Sequence, residues 1–164
     1  MKSRIGLLAL AAALAVGACG DNQVDHDRRY LVEPRMSQAQ TTRLHANETP
    51  ELRRLIEKYA AEYQVPVDLV HRVIIRESHH RPGARNGPYY GLMQILPATA
   101  RGMGYRGPAS GLLDAETNLK YGVKYLRGAY LVAGGNYDGA VKWYSRGYYY
   151  EAKRKGLLEE TGLR

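Results

Sequence analysis

Helix-start signals divide this chain into short amphipathic segments, and the spacing of these signals constrains the fold more than any other feature. Thr49-Pro50 offers a capping hydroxyl followed by a proline suited to the first helical position. Apolar residues then recur at three- and four-residue spacing through residues 52–59, which predicts a helix ending near Tyr63. A second start at residues 65–68 opens the apolar stripe 69–74, and Pro82-Gly83 ends that helix. The pattern therefore predicts a mostly α fold.

The second half of the chain continues this pattern with one interruption. Dense turn chemistry at residues 85–88 predicts that residues 89–95 return as a loop or a short strand. Helices are expected from Pro97, from about Asp114 and through residues 140–144, with a glycine-rich turn over residues 102–111. A chain of 164 residues can bury the core of one domain. We expect one mostly α domain with at most a small β element near Gly91.

The first residues predict export. Lys2 and Arg4 precede the short apolar run 5–16, which is typical of a secretory signal peptide spanning residues 1–18 and is too short to cross a bilayer comfortably. Cys19 follows Val-Gly-Ala in a pattern that resembles the lipobox of bacterial lipoproteins, and the alternative is an ordinary signal peptide. As the single cysteine it can form no internal disulfide.

Residues 19–47 are polar and lack a helical or alternating period, so we interpret them as a flexible tether between lipidated Cys19 and a domain at 48–164. This arrangement predicts a periplasmic, membrane-anchored protein, with the outer membrane favoured over the inner.

The charge predicts a polyanionic partner but does not choose one. Lys and Arg outnumber Asp and Glu by 24 to 16 for a formal charge of +8, which suits nucleic acid, anionic lipid or an acidic cell-wall polymer. No phosphate-binding loop or nucleic-acid recognition motif is present. His71, His79 and His80 lack cysteine partners and a His-Glu-x-x-His arrangement, so we expect structural or solvent-facing roles for them. We predict no metal, no cofactor, no nucleic acid and a monomer.

Glu77 is the candidate catalytic residue. Helical steps from Val70 and Val73 place it at the edge of an apolar face, where partial desolvation would raise its pKa towards that of an acid catalyst. The alternative is an ion pair with Arg76 or Arg81 on a solvated surface. The helix pattern alone favours neither.

An ordered set of motifs resembles the catalytic domain of the soluble lytic transglycosylases over about residues 48–150. The set comprises residues 65–68, Ile-Ile-Arg-Glu-Ser at 74–78, Gly-Leu-Met-Gln-Ile at 91–95, Asn118, Tyr125-Leu126, Trp143-Tyr144 and Gly147. The resemblance implies a lysozyme-like fold and cleavage of the peptidoglycan bond between N-acetylmuramic acid (MurNAc) and N-acetylglucosamine (GlcNAc). Peptidoglycan glycan strands would be the partner.

By this resemblance Glu77 protonates the departing glycosidic oxygen and then accepts a proton from the muramic six-hydroxyl, giving a 1,6-anhydro sugar. No second carboxylate is required, since the attacking hydroxyl belongs to the substrate. Asp114 and Glu116 are the nearest alternatives, but they stand at a predicted helix start, where acids act as caps and dipole partners.

The resemblance also implies supporting roles in substrate binding. Ser78 would steady the catalytic carboxylate or nearby backbone, Gly91 and Met93 would shape the groove floor, and Gln94 would hydrogen-bond substrate. Met93 is equally well explained as a core residue. The hydroxyl of Tyr144 would lie near Glu77 and orient it.

The chain departs from the family pattern after Tyr144, where Ser145 replaces asparagine and Arg146 replaces alanine. Ser145 could still hydrogen-bond to substrate, and Arg146 could meet a carboxylate. Tyrosines 148–150, with Tyr89 and Tyr90, fit either a sugar-stacking rim or packing between helices. The departure keeps two alternatives open: a hydrolytic muramidase on the same fold, and a catalytically degenerate peptidoglycan-binding lipoprotein.

Overall fold

The computed structural model describes residues 43–163 of the chain. The predicted signal segment 1–18, Cys19 and most of the predicted tether lie outside these residues. Tether residues 43–47 lie inside them and contact the domain: Nδ2 of Asn47 donates a hydrogen bond to the carbonyl of His79 at 3.0 Å. Within residues 43–163, none of the helices combines the length and the hydropathy needed to cross a membrane.

The described chain is mostly helical, as predicted. In chain order its elements are helices α1 (Pro50–Glu62) and α2 (Val67–Glu77), strands β1 (Arg85–Asn86) and β2 (Tyr89–Tyr90), helix α3 (Pro97–Gly102), a 3-10 helix (Ala109–Leu113), and helices α4 (Ala115–Val132), α5 (Tyr137–Arg146) and α6 (Tyr149–Lys155). The short 3-10 helix occupies part of the segment predicted as a glycine-rich turn. Helix α6 was not predicted, because it offers only one turn or two of weak periodicity.

The helix boundaries follow local capping chemistry. Oγ1 of Thr49 accepts a hydrogen bond from the backbone N–H of Leu52 at 3.1 Å, which caps α1. Oδ1 of Asp114 accepts from the N–H of Thr117 at 2.8 Å, so Asp114 is the predicted cap of α4. Glu116 forms an exposed ion pair with Lys58 on α1.

Helix α4 is the centre of the packing. It contacts α1, α3, α5, α6 and the 3-10 helix. One hydrophobic core joins α4 to α1, α2 and α5, and a smaller one lies between the 91–95 loop, α3 and the 3-10 helix. Each fully buried aliphatic side chain stabilises the fold by about 1.5–3 kcal/mol. The cores therefore hold the end of α2 and the β1–β2 hairpin in fixed positions.

The β element is a two-stranded antiparallel hairpin in which Arg85 pairs with Tyr90 and Asn86 with Tyr89. An isolated bridge between Tyr90 and Ile95 folds the 91–95 loop back on the hairpin. This agrees with the predicted return of residues 89–95 across the helix end.

Candidate active site

Glu77 is the last residue of α2, and its side chain is 23% exposed. Ser78 caps the helix, and His79 and His80 follow with φ angles of 53° and 60°, which turn the chain sharply away. The carboxylate therefore lies at the edge of the apolar face, as the helical spacing predicts.

Burial raises the pKa of the Glu77 carboxyl above its usual value. Nε of Arg76 lies 3.5 Å from Oε1 and lowers this pKa, but the Arg76 side chain is 55% exposed, and desolvation is the larger effect. The carbonyl groups at the end of α2 also disfavour a negative charge there. A carboxyl that retains its proton at higher pH is suited to general acid catalysis.

A loop held by Asn118 faces this helix end. Oδ1 of Asn118 accepts a hydrogen bond from the N–H of Met93 at 2.9 Å, and Nδ2 donates to the carbonyls of Tyr90 and Leu112 at 2.8 and 2.7 Å. Gly91 has a φ of 72° and packs so closely that a Cβ would lie 2.2 Å from Nδ2 of Asn118. Gly91 thus shapes the loop through its backbone, although it lines neither of the two cavities described below.

Ser78 fixes the loop to the helix end. Its hydroxyl is buried and donates a hydrogen bond to the carbonyl of Leu92 at 2.7 Å. Ser78 therefore positions the backbone beside Glu77, in agreement with one of the two roles that the resemblance implies.

Gln94 lies beside Glu77 with a strained backbone. Its φ is 45°, a conformation that side-chain-bearing residues rarely adopt. Nε2 of Gln94 donates to the carbonyls of Gly91 and Ala84 at 2.9 and 3.1 Å. Since these bonds occupy its donor, the Oε1 acceptor is the atom left for a substrate.

The structure corrects the expectation for Met93 and gives the Tyr144 hydroxyl a different hydrogen-bond partner from Glu77. The Met93 side chain is fully buried, lines neither cavity and packs against Gly122, so it is a core residue and not part of the groove floor. The Tyr144 hydroxyl donates to the carbonyl of Met93 at 2.8 Å, so it does not hydrogen-bond Glu77. Burial, with a smaller contribution from the nearby Glu77 charge, holds the Tyr144 pKa far above its usual value.

Two cavities meet at Glu77. The larger has a volume of about 600 Å³ and the smaller about 420 Å³. Glu77, Asn86 and Gln94 line both. The larger is also lined by Arg76, Tyr89, Ile95, Leu96, Thr99, Tyr125, Tyr144, Ser145, Arg146 and Gly147. The smaller is also lined by Arg81, Gly83, Ala84 and Arg85.

These linings are cationic around a single acid. Among the described residues, Glu77 is the one Asp or Glu that lines either cavity. Ser145 and Arg146, which mark the departure from the family motif, both lie in the larger cavity, where the Ser145 hydroxyl donates to the carbonyl of Lys142 at 3.0 Å. An elongated anionic substrate would fit this charge distribution.

Of the tyrosines expected either to stack on sugars or to pack between helices, one lines a cavity and one is buried. Tyr89 lines the larger cavity, whereas Tyr90 contacts the guanidinium of Arg85 at 4.9 Å from its ring centre. Tyr148 is buried and donates to the carbonyl of Tyr125 at 2.9 Å, so it packs between helices. Tyr149 and Tyr150 are exposed on α6.

Sequence reasoning missed several site residues. Asn86 and Thr99 line the larger cavity without any motif that singles them out as binding residues, and Tyr125 lines it although its motif was given no binding role. Asn118 was part of the motif set, but its role in holding the loop was not predicted; a signal existed, since a buried amide within the apolar stripe of α4 must be hydrogen-bonded.

Comparison with known families agrees with this geometry. The profile of the Transglycosylase SLT domain family matches residues 54–157, a range that includes Glu77, the 91–95 loop and all cavity-lining residues. No solved structure matches the chain at a significant level. The chain belongs to the Transglycosylase SLT domain family, which supports a lytic transglycosylase type of activity on peptidoglycan.

Proposed function

We propose that this protein is a peptidoglycan lytic transglycosylase that cleaves the β-1,4 bond between MurNAc and GlcNAc without water. The observation that carries the proposal is the placement of Glu77: a half-buried carboxyl with a raised pKa, where two cavities meet, with no other acid lining them among the described residues.

Glu77 acts twice in the proposed mechanism. Its carboxyl proton passes to the glycosidic oxygen as the bond from that oxygen to C1 of MurNAc breaks. The six-hydroxyl of the same sugar then attacks C1 and forms the 1,6-anhydro ring. The proton of this hydroxyl returns to the Glu77 carboxylate, so the enzyme is regenerated and no water is consumed.

The absence of a second acid in the described lining supports this mechanism over ordinary hydrolysis. Glycosidases with two carboxylates use the second one as a nucleophile, about 5–5.5 Å away, or as a base that activates water, about 6.5–9.5 Å away. Glu116 is occupied in an ion pair with Lys58, and Asp114 caps α4. An internal hydroxyl nucleophile removes the need for either.

The charges around Glu77 suit peptide-substituted glycan. Arg76 and Arg146 lie in the larger cavity, and Arg81 and Arg85 in the smaller. Guanidinium groups bind carboxylates through charge-assisted hydrogen bonds, and muramic stem peptides carry carboxylates. Tyr89 adds an aromatic surface for a sugar ring. We therefore propose that the sugars on either side of the cleaved bond occupy the two cavities.

The cellular setting follows from the N-terminal pattern. We propose a monomer anchored through lipidated Cys19 and facing the periplasm, with the outer membrane favoured over the inner. Replacing Cys19 by serine should move the protein from the membrane fraction to the soluble fraction. A variant that stays with the membrane would contradict lipidation.

Digestion of purified sacculi, with product masses measured, tests the activity. The wild type should release anhydro-muropeptides and Glu77→Gln should release none. Glu116→Gln is the matched control, because it removes an acid outside the cavities and should retain activity. Products heavier by one water would identify a muramidase, and binding to sacculi without soluble products would identify a degenerate wall-binding protein.

A further inference from the structure

A second cluster of chemically active side chains lies outside both cavities. His45, Glu48, His71 and His80 place one potential metal-ligand atom each within 4.8 Å of one another. Glu48, His71 and His80 are buried, while His45 is exposed on the segment before α1. The four residues come from that segment, from α2 and from the turn after Glu77, so only the fold brings them together.

His71 carries the observation that points to a ligand. Its side chain is 7% exposed, and its Nε2 is the one buried side-chain nitrogen or oxygen without a hydrogen bond in the described part of the chain. This nitrogen faces Oε1 of Glu48 at 3.8 Å, which is too long for a hydrogen bond. The other ring nitrogen, Nδ1, lies 3.0 Å from Nε2 of His80. The ring is thus held on one side and unpartnered on the other, a costly arrangement for a buried polar atom.

The Glu48 carboxylate is already held by supporting partners. Nε and Nη2 of Arg53 donate hydrogen bonds to its two oxygens at 2.7 and 2.6 Å, and the backbone N–H of His45 donates to Oε2 at 2.8 Å. Carboxylates that bind metals commonly carry such further hydrogen-bond partners.

We propose that His45, Glu48, His71 and His80 form a structural zinc site. Three imidazoles and one carboxylate match zinc better than calcium or magnesium, which prefer all-oxygen ligands. Four protein ligands complete a tetrahedral shell and leave no open position, which suits a structural rather than a catalytic ion.

Binding requires a modest contraction of the cluster. Zinc–ligand bonds of about 2.0–2.1 Å place tetrahedral ligand atoms about 3.4 Å apart, so no pair need approach by more than about 1.4 Å. The exposed His45 ring, which packs against His71 and His80, would turn to direct a nitrogen at the ion. Zinc would then fix the segment before α1 to α2 and to the turn that follows Glu77.

Two histidines in the same turn provide a matched test. His79 and His80 both have positive φ, which asparagine tolerates, but His79 is exposed and outside the cluster. With the full chain, elemental analysis measures the zinc content, and calorimetry with zinc sulfate measures the affinity for zinc. The wild type and His79→Asn should bind one zinc per chain. His80→Asn should bind at least about 100-fold more weakly, since even outer-shell changes cost about 10–100-fold.

Thermal unfolding provides a second readout that does not depend on Glu77 chemistry. Free zinc at about 100 times the wild-type Kd should raise the Tm of the wild type by about 10 °C and that of His80→Asn by no more than about 2 °C. His45→Ala, which alters an exposed residue, should lose zinc binding without loss of zinc-free stability. Equal zinc affinity in all four proteins, or no zinc-dependent shift in the wild type, would overturn the proposal in favour of a metal-free histidine network.

Discussion

Replacing Gly91 by alanine tests how closely the 91–95 loop packs on α4. Alanine at a φ of 72° costs about 1–2 kcal/mol, because its Cβ crowds the adjacent carbonyl. The new Cβ would also lie 2.2 Å from Nδ2 of Asn118 and 2.4 Å from the carbonyl oxygen of Leu112, and such overpacking costs about 1–3 kcal/mol. We expect Gly91→Ala to lower the free energy of unfolding by about 2–5 kcal/mol.

Gly87, in the turn of the adjacent hairpin, supplies the control. Its φ is 56°, but no atom lies within 4 Å of the position of an added Cβ. Gly87→Ala should therefore lower the free energy of unfolding only by the cost of alanine at a positive φ, about 1–2 kcal/mol. Urea unfolding followed by circular dichroism measures both variants, and their difference isolates the close contact.

The activity of the two variants should separate in the same way. Displacing Asn118 frees the N–H of Met93, and moving Gly91 disturbs the carbonyl that holds the Gln94 amide. Gly91→Ala should lose activity on sacculi even where it remains folded, while Gly87→Ala retains it. Equal destabilisation by both changes, within about 0.5 kcal/mol, would refute the close-packing argument.

Two further predictions concern groups beside Glu77. Activity should fall as the pH rises through the Glu77 pKa, because the protonated carboxyl is the catalytic acid. Since Arg76 lowers this pKa, Arg76→Gln should move the alkaline limb of the kcat/KM profile to higher pH. The control is Arg72→Gln, which removes another arginine of α2, the ion-pair partner of Asp138, and should leave the alkaline limb in place. An identical shift in both variants would contradict the assignment of this limb to Glu77. Tyr144→Phe and Tyr148→Phe each remove a hydroxyl bonded to a buried carbonyl and should each lower unfolding free energy by about 1–2 kcal/mol. Only Tyr144→Phe should lower turnover of sacculi, since Tyr144 lines the larger cavity. Equal turnover by the two variants would count against a role of the Tyr144 hydroxyl at the active site.

The helices were predictable because their signals are local. Thr49 and Asp114 act as caps within three residues of their partners, and the apolar stripes of α1 and α2 are buried as their spacing predicts. The same periodicity predicts that Glu77 lies at the edge of the apolar face, but the helix ends at Glu77 and not at Pro82-Gly83 as the sequence predicts. By contrast, α6 is short and packs mainly against α4, so its own sequence signals it weakly.

The site was only partly predictable, because its geometry depends on distant partners. Gln94 and Ser145 lie at the cavity as expected, but Met93 turned inward because Gly122 on α4 leaves space for its side chain. The Tyr144 hydroxyl donates its hydrogen bond to the carbonyl of Met93, 51 residues away in the sequence, and not to the Glu77 carboxylate. Sequence motifs identified which loop matters, but not which atoms of that loop face the substrate.

The amino-acid sequence by itself determined the helical class, the acid at the end of α2 and the family motifs around it, since caps, turns and periodicity act over a few residues. Tertiary structure alone decided how deeply Glu77 is buried, and hence the direction of its pKa. It also decided that four arginines line the two cavities that meet at that acid and that His45 and Glu48 meet His71 and His80. Burial and electrostatics depend on every element packed around a group, so no local pattern encodes them.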